Sequence, residues 1–142
     1  MATELISGVK AFNESIKVMN QKMRMAGRQI VVEGGQVIAR NSREMFTEPG
    51  NGRKGRHVGP VGGPPNVRTG YLARSIQSSR PEEIGTGRWT TSTGPKAIYG
   101  RRIELGFPEG KYAYPYLRPG FEKSMPEIRK ISERVWAGVL RG

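Results

Sequence analysis

The chain has 142 residues, no cysteine, one histidine and a formal net charge of +12, with an isoelectric point near 10.6. That length suits one domain built on one core. The lack of cysteine excludes disulfide frameworks, zinc clusters of the Cys type and thiol nucleophiles, and fits synthesis in a reducing cytoplasm. The charge favours soluble behaviour and attraction to polyanions such as DNA or RNA.

No stretch approaches the roughly twenty apolar residues that cross a bilayer, and the amino end lacks the basic-then-apolar pattern of a secretion signal. A chain with no membrane partner is therefore expected. Hydrophobic residues are 35% of the sequence, against 20 Gly and 10 Pro, so part of the chain serves as loop.

Residues 1–48 read as one long helix unit. Leu5, Val9, Phe12, Ile16, Met19, Met23, Ala26 and Ile30 follow at alternating steps of four and three, which places them on one seam. Thr3 is a candidate cap. Gly34 and Gly35 weaken the helix by roughly 1 kcal/mol each relative to Ala, so a bend or a close packing contact is expected there. Val37, Ile38, Met45 and Phe46 resume the pattern, giving a helix from about Glu4 to Phe46. A helix this long cannot bury its whole seam against the rest of a small chain, which leaves part of it to face another copy. For Met19 to Ile30 the simpler reading is an ordinary amphipathic core helix, with the methionines filling gaps.

From residue 49 to 70 half of the residues are Gly or Pro, and Arg53, Lys54, Arg56 and Arg68 stand without an acidic neighbour. This is a long, flexible basic loop with too few apolar groups to fold alone. Its cations suit sequence-independent, salt-sensitive phosphate contacts, or equally a protein neighbour that orders the loop. The only histidine, His57, sits here beside Arg56 and reads as a solvated residue. Gly50 to Gly55 lacks the Lys and the Ser or Thr of a phosphate-cradling loop, and lacks the strand before it.

Residues 71–116 read as a small sheet and turns. Strands are expected over Ser75 to Arg80 and Arg88 to Thr93, joined by a hairpin through Glu82 to Gly87. From Ala97 to Leu105 both strand and helical turn fit the spacing of Tyr99, Ile103 and Leu105. Phe107, Tyr112, Tyr114 and Tyr116 form an aromatic cluster around Pro108 and Pro115 that suits packing on the chain's own helices or contact with a second subunit. Residues 117–142 carry a second stripe, Leu117, Phe121, Met125, Ile128, Ile131, Val135 and Val139, interrupted by Pro126. Ser124 with Glu127 matches a capping box, so a fresh helix starting there and one kinked helix are both open. The fold class is α+β: a long N-terminal helix, a small mostly antiparallel sheet and a C-terminal helix, with the basic loop between, all in one domain spanning 1–142.

A catalytic site is hard to assemble from this inventory. One histidine in a Gly-rich loop offers no second imidazole, and the chain has no aspartate. Glu82 with Glu83, and Glu104 with Glu109, read as surface charge, with Glu104 pairing to Arg101 or Arg102 as the alternative. No enzyme, cofactor, metal or small-molecule substrate is expected.

Three stretches together resemble one family. Arg68-Thr69-Gly70-Tyr71-Leu72-Ala73-Arg74-Ser75-Ile76 resembles the "TG-x-L-x-x-SI" signature that follows the first helix and a Pro-rich loop in the tail-completion, or neck, proteins of long-tailed bacteriophages. Tyr99-Gly100-Arg101-Arg102-Ile103-Glu104-Leu105-Gly106-Phe107 is similar to that family's "Y-x-x-x-(V/I)-E-x-G" segment, and Tyr116-Leu117-Arg118-Pro119-Gly120-Phe121-Glu122 to its "F-L-R-P-A-x-E" helix opening. Turns at Gly70 and Gly106 would need positive φ. The chain departs at Gly120, where the family prefers a helix former, at Pro126, and in its long loop.

The resemblance implies a structural virion protein of the head-tail junction, one copy of a ring, hexameric in the family, around the DNA channel. Its implied partners are identical subunits, other neck and tail proteins (head closure and tail terminator), and double-stranded DNA passing with non-specific phosphate contacts. The implied location is the virion neck after synthesis in the host cytoplasm. Subunit contacts would then fall on Leu5, Val9, Phe12, Ile16, Phe107, Tyr112, Tyr114 and Tyr116, and DNA or partner contacts on Arg53, Lys54, Arg56, His57 and Arg68. The alternative is a free basic nucleic-acid-binding protein, which would bind DNA as a monomer.

Overall fold

The computed structural model describes residues 2–46, 62, 70–106 and 113–141. The fold is α+β: a long N-terminal helix, a small antiparallel two-sheet region and a C-terminal helix. Helix α1 (Ala2–Glu44) is continuous, and it begins before Thr3, which stands inside the first turn and is not its cap. After Gly70, in the left-handed conformation with φ 76°, come a short helix α2 (Tyr71–Ser75) and strands β1 (Ile76–Ser78), β2 (Glu82–Gly85), β3 (Arg88–Thr90) and β4 (Thr93–Pro95). Helix α3 (Gly100–Leu105) ends at Gly106, φ 85°, and α4 (Leu117–Arg141) closes the fold. Both glycines expected at positive φ adopt it.

The strands form one interrupted hairpin. β1 pairs with β4 and β2 with β3, both antiparallel, and the chain reverses at Thr86 and Gly87. Glu82 to Gly85 is thus extended ladder, where the sequence suggested connecting loop. Two-residue reversals need a residue at positive φ, and Gly87 supplies it at 75°. Between the two ladders the backbone N–H of Ser79 donates to the Ser92 carbonyl at 2.7 Å, and the Thr91 hydroxyl to the Ser79 carbonyl at 2.8 Å, so polar contacts bridge the gap. The Ala97 to Leu105 ambiguity resolves as a turn leading into helix from Gly100, with the Ile103 N–H donating to the Tyr99 carbonyl.

Helix α4 runs antiparallel to α1. Lys123, Glu127 and Arg134 of α4 meet Glu44, Arg40 and Glu33 of α1 in that order, at 3.4, 2.5 and 2.8 Å. Ala26 and Val135, both buried, mark the far end of this contact. The two helices approach tightly at Gly120. A Cβ there would lie 2.7 Å from Ser42 Cα and 2.8 Å from Ser42 N, so only hydrogen fits.

The capping box at Ser124 is not formed. Its hydroxyl donates to the Gly120 carbonyl at 2.6 Å and accepts from Asn41 Nδ2 at 2.8 Å, which holds it inside a continuous helix. Pro126 lies between that contact and the Arg40–Glu127 pair, so α4 is pinned to α1 on both sides of the proline. The expected tension at Gly34 and Gly35 is met by close packing: Gly34 faces Ile128, and a Cβ at Gly35 would stand 2.8 Å from Ser78 Oγ.

The hydrophobic core joins Ala39, Leu72, Ile76, Ala97 and Tyr116, with Met45, Phe46, Ile103 and Leu117 packed around it. Fully burying side chains such as Ile76 stabilises by roughly 2 to 3 kcal/mol each. This core sits at the end of α1 where the hairpin base, α3 and the start of α4 converge.

Candidate assembly surface

The body covers only the second half of α1. α4 lies along one flank, and the hairpin along another, with Trp89 against Gly27 and Arg24 paired to Glu83 at 2.7 Å. Residues 3–21 are exposed throughout, so about 28 Å of helix, at 1.5 Å per residue, carries no covering element among the described residues. Leu5 is 71% exposed and Phe12 64%, with Val9 and Ile16 also exposed. Those four candidate interface residues therefore share one open seam.

The seam also includes Met19 and Met23, 39% and 45% exposed, which the sequence assigned to the core. Their 4–3 spacing is the same as that of the covered residues below them. Burial along α1 begins at Ala26, the first of its described residues to be buried, a tertiary fact with no local signal. Ile6, Val18 and Met25 are further exposed apolar residues that sequence reasoning missed, because they stand off the seam.

The other candidates fare differently. Tyr116 has no exposed surface: its ring packs 5.0 Å from Phe46, centroid to centroid, and its hydroxyl donates to the Gly100 carbonyl at 3.0 Å. It belongs to the chain's own core and offers nothing to a second subunit. Burial, with the nearby Glu104 carboxylate and Tyr99 adding to it, holds its phenol above the ordinary tyrosine value. Tyr114 is half-buried and ties its backbone N–H to the Ile103 carbonyl at 2.7 Å. Phe107, Tyr112, Arg53, Lys54, Arg56, His57 and Arg68 lie outside the described residues.

Glu104 is half-buried and is more than surface charge. Its carboxylate accepts from the backbone N–H groups of Tyr116 at 2.6 Å, Leu117 at 2.9 Å and Arg118 at 3.0 Å. These are donors that the first turn of α4 leaves unpaired, and the negative charge also suits the positive end of the helix dipole. Among the described residues no group of three or more His, Cys, Asp or Glu could hold a metal ion, and no helix is long and apolar enough to cross a membrane.

No family model, no curated protein and no solved structure matches the chain.

Arg24–Glu83 and Arg40–Glu127 are among the ion pairs that hold the body beneath the exposed half of α1. Hydrogen bonding to Arg24 keeps the Glu83 carboxyl below the ordinary glutamate value, and Arg40 does the same for Glu127, each opposed by some desolvation. A depressed folded value means stability present above the ordinary glutamate range and lost as pH falls through the depressed value. Both pairs are solvent-screened, so the effect is small. The melting temperature should accordingly fall less between pH 7 and pH 3 in the Glu83→Gln/Glu127→Gln double variant than in the parent; equal falls would show that the pairs contribute nothing.

Proposed function

We propose that this chain is a structural virion protein of the bacteriophage head-tail junction, a tail-completion subunit that works as one copy of a ring around the DNA channel and joins the tail to the head-side connector. The observation that carries the reading is the open apolar seam of α1. A surface of contiguous large apolar side chains on an otherwise charged chain is a contact surface, since water leaves it costly to expose. The three sequence stretches that resemble neck proteins fall where such a subunit needs fixed geometry: Gly70 turning into α2, Gly106 ending α3, and Tyr116 to Glu122 opening α4 with Glu104 as its cap. Double-stranded DNA passing through the ring would meet a chain of net charge +12, and mobile non-specific phosphate contacts suit passage better than a rigid clamp.

The test is genetic and visual. Inactivating the gene in a phage that carries it should yield DNA-filled heads and separate, complete tails, and restored particles should carry the protein as a ring at the neck in electron micrographs. Intact particles without it, or its presence only away from the neck, would overturn the proposal.

A further inference from the structure

α4 covers the α1 seam from Glu44 up to about Ala26, and above that the seam continues with unchanged spacing and, among the described residues, no cover. We propose that in the free chain this upper seam is taken by the same segment of a second copy, running antiparallel, with Leu5 of each against Met23 of the other, Val9 against Met19, and Phe12 against Ile16. The inference rests on the reading that identical copies cover α1, and not on where the assembly sits.

Three observations carry it. Alternating steps of four and three make a narrow coiled-coil seam, whose natural occupant is another helix with that spacing. The six seam residues are symmetric in this respect: one antiparallel register pairs every one of them and leaves none over. Second, the positions flanking the seam are Ile6, Asn13 and Asn20 on one side and Gly8, Ser15 and Lys22 on the other. Only Lys22 is charged, and in this register it faces Gly8, while Lys10, Glu14, Lys17 and Arg24 point away. Identical copies therefore bring no like charges together, and an acidic or basic helix would find no complement.

The third observation fixes the direction. Below Ala26 the seam is already occupied by α4. In a parallel pair the two α4 helices would both lie between the two α1 helices, forcing these apart by some 20 Å in the body, at roughly 8 to 10 Å per packed helix, while the upper halves touched. In an antiparallel pair each α4 lies beyond the far end of the other copy's upper α1. The seam of each α1 is then covered along its length, half by its own α4 and half by its partner. Such a two-fold contact closes at two copies, whereas a ring repeats one head-to-tail contact. The pair is thus the form of the free chain, and ring entry requires the two α1 helices to part or to bridge two facing rings.

The absence of cysteine makes the test clean. Full-length Leu5→Cys and Met23→Cys variants are oxidised mildly, alone and as an equilibrated mixture. Alone, equivalent positions lie about 27 Å apart across the pair, 18 residues at 1.5 Å, and stay uncross-linked. The mixture should give a covalent dimer as its main product. A third variant, Ile16→Glu, should sediment as a monomer with unchanged helix content at concentrations where the parent is a dimer, because Ile16 is exposed in the single chain. Cross-linking of Leu5→Cys alone, a mixture that fails to cross-link, or a dimer that survives Ile16→Glu would each overturn the pairing. Neck rings in particles made from a chain that shows no such cross-link would sink this inference and spare the junction reading. A cross-linked pair in a protein that particles lack would do the reverse.

Discussion

Replacing Gly120 with Ala is expected to lower the melting temperature by roughly 10 °C, a loss of about 3 kcal/mol, at the upper end of what overpacking costs. The added methyl would meet Ser42 Cα at 2.7 Å and Ser42 N at 2.8 Å, atoms of the α1 backbone that cannot swing aside as a side chain can. Relief requires the two helices to separate. That would stretch the Asn41 to Ser124 hydrogen bond of 2.8 Å, at a site where Asn41, Ser42 and Ser124 are all buried. Gly138, on the same helix, has nothing within 4 Å of its Cβ position. Gly138→Ala should therefore stabilise, by up to about 1 kcal/mol from helix propensity alone. Thermal melts followed by circular dichroism compare the two, and equal effects of the same sign would show that the crossing is not as close as described.

Glu104→Ala should lower stability by about 2 to 4 kcal/mol, because three backbone N–H groups at the start of α4 lose one shared charged acceptor. Glu104→Gln keeps one acceptor oxygen but turns an amide toward the donors, so it should fall between the parent and the Ala variant. Urea unfolding gives the size of the loss. Amide hydrogen exchange gives its place: the Tyr116, Leu117 and Arg118 amides should exchange faster while those in the middle of α1 keep their rank. Unchanged exchange at those three amides would show that Glu104 does not cap the helix. The same carboxylate links α3 to α4 beside Tyr116, so loosening there should also be felt in the core.

Both sites show what the sequence carried and what it did not. The two apolar stripes, Leu5 to Ile30 and Leu117 to Val139, specified α1 and α4 because a 3.6-residue period leaves a local trace. Gly70 and Gly106 were legible as turn residues because only glycine takes those φ values without strain. Gly120 looked like a weak point in a helix because its reason is Ser42, far away in the chain, although Gly120 and Ser124, small residues four apart, hint at a close crossing. Glu104 looked like surface charge because a capping box places the carboxylate three residues from its cap, whereas here it reaches twelve to fourteen residues ahead. The hairpin was anticipated with its connection too long, since nothing in Glu82 to Gly85 marks these residues as ladder until they face Arg88 to Thr90. Of the exposed seam, the stretch from Leu5 to Ile16 was read in the sequence as a part the chain itself would leave uncovered. Met19 and Met23 were not, because an uninterrupted period cannot say where the cover stops.

An isolated helix of about twenty residues must first close a costly opening turn, but the upper half of α1 grows from turns already held by the body, and each added residue needs only propagation. The segment can thus stay ordered while uncovered. Whatever docks on it meets a surface whose backbone entropy was surrendered when the chain folded, so little of the free energy of association is consumed in freezing it.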